Sequence, residues 1–440
     1  MKPIVVSEFT PKAYVVAYTK SGHKYDTQLM QDMISINITR SVNGSPGIAA
    51  LTLTARTDKK GTWADKIRPM DYVEIYEANT NKVKIRFRGF VTNAMQSFAI
   101  SSRGGPKRRI TINCYDYTRP LVINQIRYIW TNDPAAAMQN AMGWGLSLNY
   151  HIPPNITNAK QFAYAIRDNV MAPFMATYRK TTGIDVAPDP IFDITIPDTF
   201  YIPALIVQTY TGSFWNLFTY FNSPPFGESF AYDDDLGPHI VMRVAPFKDL
   251  TGNIVSPAIA SQIASYNVPD GIISAFDVGF SDNQVYNYFF TYSDYAPTQG
   301  ITQYPYIQGS YSESGLLIGG TGQNPLINEE SMSIFGFRPM VINSPWVTFF
   351  TQNSSSFGEG KQLALALSKY AYQTQGFNES LRSGTITFHG MESMSHGAYL
   401  NASGQSLSFY TDVINEQFNF LGSTTPQWIA QAGVTRGIPS

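Results

Sequence analysis

The string His389-Gly-Met-Glu392-Ser-Met-Ser-His396 holds the side chains of this sequence best spaced to ligate a metal. A His-x-x-Glu pair with a later His is a zinc donor set of the carboxypeptidase kind. Catalytic zinc needs ligands fixed on rigid elements, whereas this string runs from a strand end into a glycine-containing turn. The helical H-E-x-x-H pattern is absent. The string therefore reads as surface hairpin residues. Asp233, Asp234 and Asp235 supply the oxygens that calcium favours, but the EF-hand spacing, with its glycine and terminal Glu, is missing. A solvated turn is expected there. Glu228 and Glu392 are carboxylates that a glycosidase could set across a cleft, yet no pattern singles them out. Arg103, Lys107, Arg108 and Arg109 form the one local positive cluster. At a hairpin tip it reads as a solvated face, its other use being to meet an acidic partner or a passing polynucleotide. Gly319-Gly-Thr-Gly322 is followed by neither Lys-Ser/Thr nor a helix, so it is a flexible loop rather than a phosphate cradle. No G-x-S-x-G nucleophile elbow occurs. Catalytic, cofactor-binding and metal sites are all assigned as none, no cofactor is expected, and the chain does not read as an enzyme.

Composition narrows the classes further. The chain has 440 residues, with 31 Lys+Arg against 32 Asp+Glu, a net charge of -1. Charged residues are 14%, against roughly 25% in typical soluble domains. Aromatics are also 14%, which excludes a highly charged disordered chain. The missing surplus of Lys and Arg excludes a generally basic nucleic-acid binder. A surface so poor in charge is hard to keep soluble alone, which points to faces covered by other subunits. The single cysteine, Cys114, excludes an intrachain disulfide and reads as a buried thiol on a strand. The N-terminus shows no secretory pattern, and no run of about 18 apolar residues suggests a membrane anchor.

The elements that would carry these residues alternate in type along the chain. Up to about residue 118, polar and apolar residues alternate as in strands. Ile34, Ile36 and Ile38 share a face, then Ala49, Leu51 and Leu53, then Val83, Ile85 and Phe87. Asn43-Gly44 and the Ser101–Pro106 stretch are turn signals, so five or six strands suggest a small antiparallel barrel. Residues 119–265 turn mixed. Asp133-Pro134 opens a helix that Gly143 can end. Phe162, Ile166 and Val170 recur at helical spacing before Pro173 stops or kinks the segment. Ser213 caps Phe214–Phe221, and two hairpin-like pieces, Glu228–Tyr232 and His239–Val244, follow. Strand signal returns at Ser274–Val278 and Asn287–Tyr292. Residues 296–360 read as a loop or extended insertion, Lys361–Tyr372 as a helix with Leu363, Leu367, Tyr370 and Ala371 on one face, and the tail from Ser383 as strands. The fold class is mainly β (α+β), with no fixed-period repeat.

In order, Gly44-Ser-Pro-Gly47, Ala50–Leu53, Trp63, Met70–Ile75, Arg86–Val91 and Arg109–Asp116 resemble the first tube domain of baseplate hub proteins of contractile phage tails. That family is related to the N-terminal part of type VI secretion spike proteins. Ser213–Phe218, Ser223–Glu228, Met242–Phe247 and Asp282–Phe290 are similar to its middle region. Ser383–Phe388, Phe409–Ile414 and Thr435–Gly437 are similar to its second tube domain. The resemblance implies two small antiparallel β-barrels, 1–118 and 266–292 with 384–440. It also implies an inserted α/β middle domain, 119–265, and a polar insertion with one helix, 293–383. It implies a homotrimeric hub adapting the hexameric tail tube protein to a trimeric central spike protein, beside other baseplate proteins, in the virion tail after assembly in the host cytoplasm. Genome DNA would pass through the lumen without specific binding. With no spike or lysozyme segment after the second barrel, the spike would be a separate protein. The alternatives are a tail-associated peptidoglycan hydrolase using His389, Glu392 and His396, and a carbohydrate-binding receptor module suggested by the abundant Tyr and Trp.

Overall fold

The computed structural model describes residues 4–5, 12–57, 61–79, 82–100, 106–126, 159–196, 212–219, 222, 226–255, 263–293, 311–312, 315–316, 326–344, 366–389, 394–420 and 427–439. After the short Ile4–Val5 (β1), the chain forms Lys12–Tyr18 (β2), Lys24–Tyr25 (β3), Met33–Ser41 (β4) and Gly44–Thr54 (β5). Tyr72–Asn79 (β6), Lys82–Ile100 (β7) and Pro106–Asp116 (β8) follow. They pair antiparallel in the order β4-β5-β8-β7-β6-β2-β3. The β4–β5 turn is tight because Asn43 accepts a φ of 59°, a left-handed conformation that asparagine tolerates and β-branched residues do not.

Alternation places Ile36, Ile38, Ala49, Leu51, Leu53, Ile75, Phe87, Ile110, Ile112 and Cys114 in one core. Two expected core residues depart from the pattern. A bulge between Met33 and Ser35 makes Ile34 the extra residue, so Met33 takes the core position and Ile34 is half-buried. Val83, near the start of β7, is 61% exposed, while Ile85 and Phe87 are buried. Among the described residues no ladder joins β2 to β4, so this sheet is not closed into a barrel by hydrogen bonds. Helix Thr27–Gln31 lies between those two strands in the chain and buries Leu29 in the core.

The middle of the chain is α/β. Gln125–Ile126 (β9) and Gly212–Ser213 (β11) make a small ribbon. Ile191–Thr195 (β10), Gly227–Asp233 (β12) and Pro238–Val244 (β13) form a sheet of order β10-β13-β12. Phe162, Ile166 and Val170 are buried, as their spacing predicts. Pro173 does not stop the segment: helix Ala159–Ile166 passes through a π-helical turn, Arg167–Met171, into helix Ala172–Thr182. Pro173 lies in the first turn of that second helix, where its missing N–H costs least. Gly183, at φ 70°, ends it. The Ser213 hydroxyl accepts from the Asn216 N–H at 3.0 Å, capping helix Phe214–Thr219. The expected Asp133–Gly143 helix lies outside the described residues.

A second six-stranded array follows. Ser265–Val268 (β14) and Ile273–Gly279 (β15) precede an excursion holding Tyr288–Ser293 (β16), the short Tyr311–Ser312 (β17) and Gly315–Leu316 (β18), and Pro339–Ser344 (β19). The excursion carries more structure than a loop: helix Glu329–Phe335 is described, and β16 pairs in parallel with β19 rather than with the large sheet. Leu367 and Ala371 of helix 366–375 are buried, and Leu363 lies outside the described residues. Arg382–His389 (β20), Tyr399–Ala402 (β21), Leu407–Asn419 (β22) and Gln427–Pro439 (β23) complete the order β15-β20-β23-β22-β21-β14. The core of this array holds Ile386, Phe388, Leu400, Phe409, Ile414, Ala430, Ala432 and Val434.

The two arrays are one topology used twice. Read across the sheet, the six strands are the second, third, sixth, fifth, fourth and first of their array along the chain, in both arrays. The bulges correspond as well. Met33/Ser35 in β4 matches Ile273/Ala275 in β15, and Val91/Asn93 in β7 matches Thr411/Val413 in β22. One ladder differs: β2 and β6 are antiparallel, whereas β14 and β21 are parallel. The arrays merge into a single 14-stranded sheet because β22, past its bulge, pairs antiparallel with β4 from Val413↔Ser41 to Asn419↔Ser35. Phe418 and Trp428 thereby enter the first core. Truncating a fully buried Phe costs about 3–5 kcal/mol. Phe418→Ala should therefore lower the unfolding free energy by that much, read as a lower urea midpoint at unchanged m-value.

Candidate functional site

His389 ends β20 half-buried, His396 is 2% exposed, and Glu392 lies outside the described residues. Among the described residues no three His, Cys, Asp or Glu side chains gather closely enough to hold a metal. His396 is not the surface residue expected. It packs against the Phe230 ring at 4.7 Å, and burial, then Arg40 and Arg243, hold its pKa well below the ordinary value. It lines a cavity of about 570 Å³, together with Arg243, Tyr266, Asp193 and Tyr232.

The Asp233–Asp235 turn is more than a solvated link, because β12 reaches the first array. Asp233 accepts from the Arg88 N–H at 3.0 Å, and burial lifts its pKa to about 7. Asp234 accepts from the N–H groups of Leu236 and Gly237 and contacts His239 Nε2 at 2.9 Å. His239 Nδ1 lies 2.7 Å from Asp193, so its ring sits between two carboxylates. Only Asp235 is exposed. Glu228 is spent in packing: it accepts from Arg243 Nε at 3.0 Å and from the Tyr410 hydroxyl at 2.5 Å. Arg243 also donates to the Gly397 carbonyl, tying the middle sheet to the second array. Arg108 and Arg109 are exposed, Arg108 lying 5.8 Å from the Phe98 ring, and Arg103 lies outside the described residues.

A buried ionic cluster at the β22–β4 joint has no local signature. Glu416 meets Arg40 at 3.4 Å and also contacts Arg86, whose Nε lies 3.4 Å from Glu77. Burial pulls the Arg40 pKa down and takes Arg86 to about 10. Arg40 and Glu416 stand 376 residues apart, so no spacing could have flagged them. Arg243, Arg88 and Asp233 are likewise joined only by the fold.

The remaining surface of note is made of strand edges. Beyond its bulge, β7 pairs with β8 alone, and β15 pairs with β20 alone, among the described residues. Met95 and Phe98 on β7 are 55% and 61% exposed, and Phe280 just after β15 is 64% exposed. Unpaired N–H and C=O groups beside apolar side chains form a template for another strand. No described helix is long and apolar enough to cross a membrane.

No family model matches the chain, and no curated protein matches it. Solved structures do. The 43 kDa tail protein of prophage MuSo2 from Shewanella oneidensis is 13% identical, with 97% of this chain and 98% of that one covered, at a TM-score of 0.48. The tail protein from Neisseria meningitidis MC58 is 10% identical, covering 97% of both chains, at a TM-score of 0.47. The E. coli c3393 protein, a component of the type VI secretion system, is 8% identical over 93% of this chain and 74% of its own, at a TM-score of 0.40.

Two outcomes check this account of the polar residues. Removing one partner of a buried ionic cluster costs about 3–5 kcal/mol, so Glu416→Ala should show a loss of that size in urea unfolding. Burial opposes charging of His239, but Asp193 and Asp234 raise its pKa above the ordinary 6.5. Its contribution to stability is therefore full below about pH 6.5 and lost as pH rises through the raised value. His239→Gln should flatten the stability-versus-pH curve in that window, read by thermal melts from pH 6 to 9.

Proposed function

We propose that this chain is a structural component of a contractile-type tail. It acts as a homotrimeric hub that adapts a hexameric tail tube to a trimeric central spike and lines the conduit for genome passage. One observation carries the reading: a single chain holds two copies of the same six-strand topology, joined by a continuous ladder. Three such chains present six equivalent sheets, which meets a sixfold tube on one side and a threefold spike on the other. The ordered resemblance of Gly44–Gly47, Arg86–Val91, Ser213–Phe218 and Phe409–Ile414 to the hub family supports the same reading.

The division of labour we propose follows residues 1–118 and 266–292 with 384–440 as tube domains, 119–265 as the middle domain and 293–383 as an insertion. The role is adaptor and conduit, without bond-making chemistry. Buried, hydrogen-bonded Glu228 supports that part. Light scattering on the purified chain should report three 49.0 kDa subunits, about 147 kDa. Electron microscopy of isolated tails should place the chain at the tip. A strictly 49.0 kDa species absent from tail particles would refute the proposal.

A further inference from the structure

The internal repeat assigns a partner to each exposed edge. In the first array, β4 is covered on its outer side by β22 of the second array. The equivalent of β4 is β15, whose outer side is open among the described residues. The equivalent of β22 is β7, whose segment past the shared bulge is open too. The chain thus makes one lobe-to-lobe joint and displays both halves of a second, unmade one.

Burial tells the same story residue by residue. With the bulges superposed, Phe418 corresponds to Phe98, and Ile36 and Ile38 correspond to Phe276 and Val278. In the made joint, Phe418, Ile36 and Ile38 are 1%, 0% and 1% exposed. Their counterparts lack a cover: Phe98 is 61% exposed, and Phe276 and Val278 are half-buried beside the second core. Phe280, the counterpart of Arg40, is 64% exposed, and Gln96 stands for Glu416. The unmade joint therefore carries no charge where the made joint places Arg40 and Glu416.

We infer that the outer edge of β7 past its bulge pairs antiparallel with β15 of a second copy of this chain. The register copies the β22–β4 joint, with Met95 opposite Gly279, Gln96 opposite Val278, Ser97 opposite Asp277 and Phe98 opposite Phe276. The contact is head-to-tail, so copies add in one rotational sense, and closure at three copies makes a ring. The number of copies rests on the trimeric hub reading above; the edges and register come from the repeat alone.

Residues opposite each other on antiparallel strands lie within the Cα range that a disulfide spans. The sole native thiol, Cys114, is buried and out of reach. Full-length chain carrying Ser97→Cys and Asp277→Cys together, oxidised mildly, should give reducible two- and three-chain species on a denaturing gel. Ser97→Cys with Ser274→Cys, out of register, should give at least tenfold less. Phe98→Glu, at a site outside the folded core, should weaken association at least tenfold in light scattering while leaving the thermal melt of the chain intact. A trimer that fails to cross-link in this register overturns the edge assignment and leaves the hub reading standing. A chain that stays monomeric at tens of micromolar overturns both.

Discussion

The ladder between β22 and β4 is the contact on which the rest of the molecule depends. It makes one sheet of two arrays, and it buries Glu416 between Arg40 and Arg86. A buried ion pair is a poor source of net stability, since desolvation offsets most of the attraction. Its leverage here is over register. A slip of one residue would turn Glu416 to the polar face and leave two buried guanidiniums without it. The same slip would withdraw Phe418 from the first core, where it packs at 5.2 Å from the Trp428 ring. Charge and packing therefore select a single alignment of the halves.

The scarcity of charge takes a sharper meaning beside these contacts. Arg40, Arg86, Arg88, Glu77, Glu228, Arg243 and Glu416 are all among the buried residues, so the share of charge left to the surface is smaller than composition alone suggests. The interior uses its ions as pins between parts distant in sequence: Arg243 links the middle sheet to Tyr410, and Arg88 links β7 to Asp233. Among the described residues, Met95, Phe98 and Phe280 stand out exposed at the strand edges.

Period-two alternation was enough to place Ile36, Ile38, Ala49, Leu51 and Leu53, because a strand buried on one face must bury every second residue. It failed at Ile34, where a bulge set by the partner strand shifts the count. The middle helices were legible from Phe162, Ile166 and Val170. The π-helical turn that carries the chain past Pro173 was not, since it depends on packing rather than on local propensity. The polar composition of 296–360 hid helix Glu329–Phe335, whose short length and Asn328 cap leave little periodic trace. The ionic clusters were invisible for a plainer reason: their members meet only after both halves have folded. The likeness of the two halves was also unreadable from repetition, because topology and bulges agree where residue identities do not.

The two arrays differ most in one connection. Between β4 and β5 the chain turns within Val42 and Asn43, whereas between the corresponding β15 and β20 it leaves for residues 280–381. Fusing two copies of a unit into one polypeptide lets evolution decorate one copy and keep the other bare. In the proposed ring, the sheets would keep their even spacing while alternate positions carry extra mass. Symmetry would then be halved by covalent linkage alone, without any change in the repeated sheets.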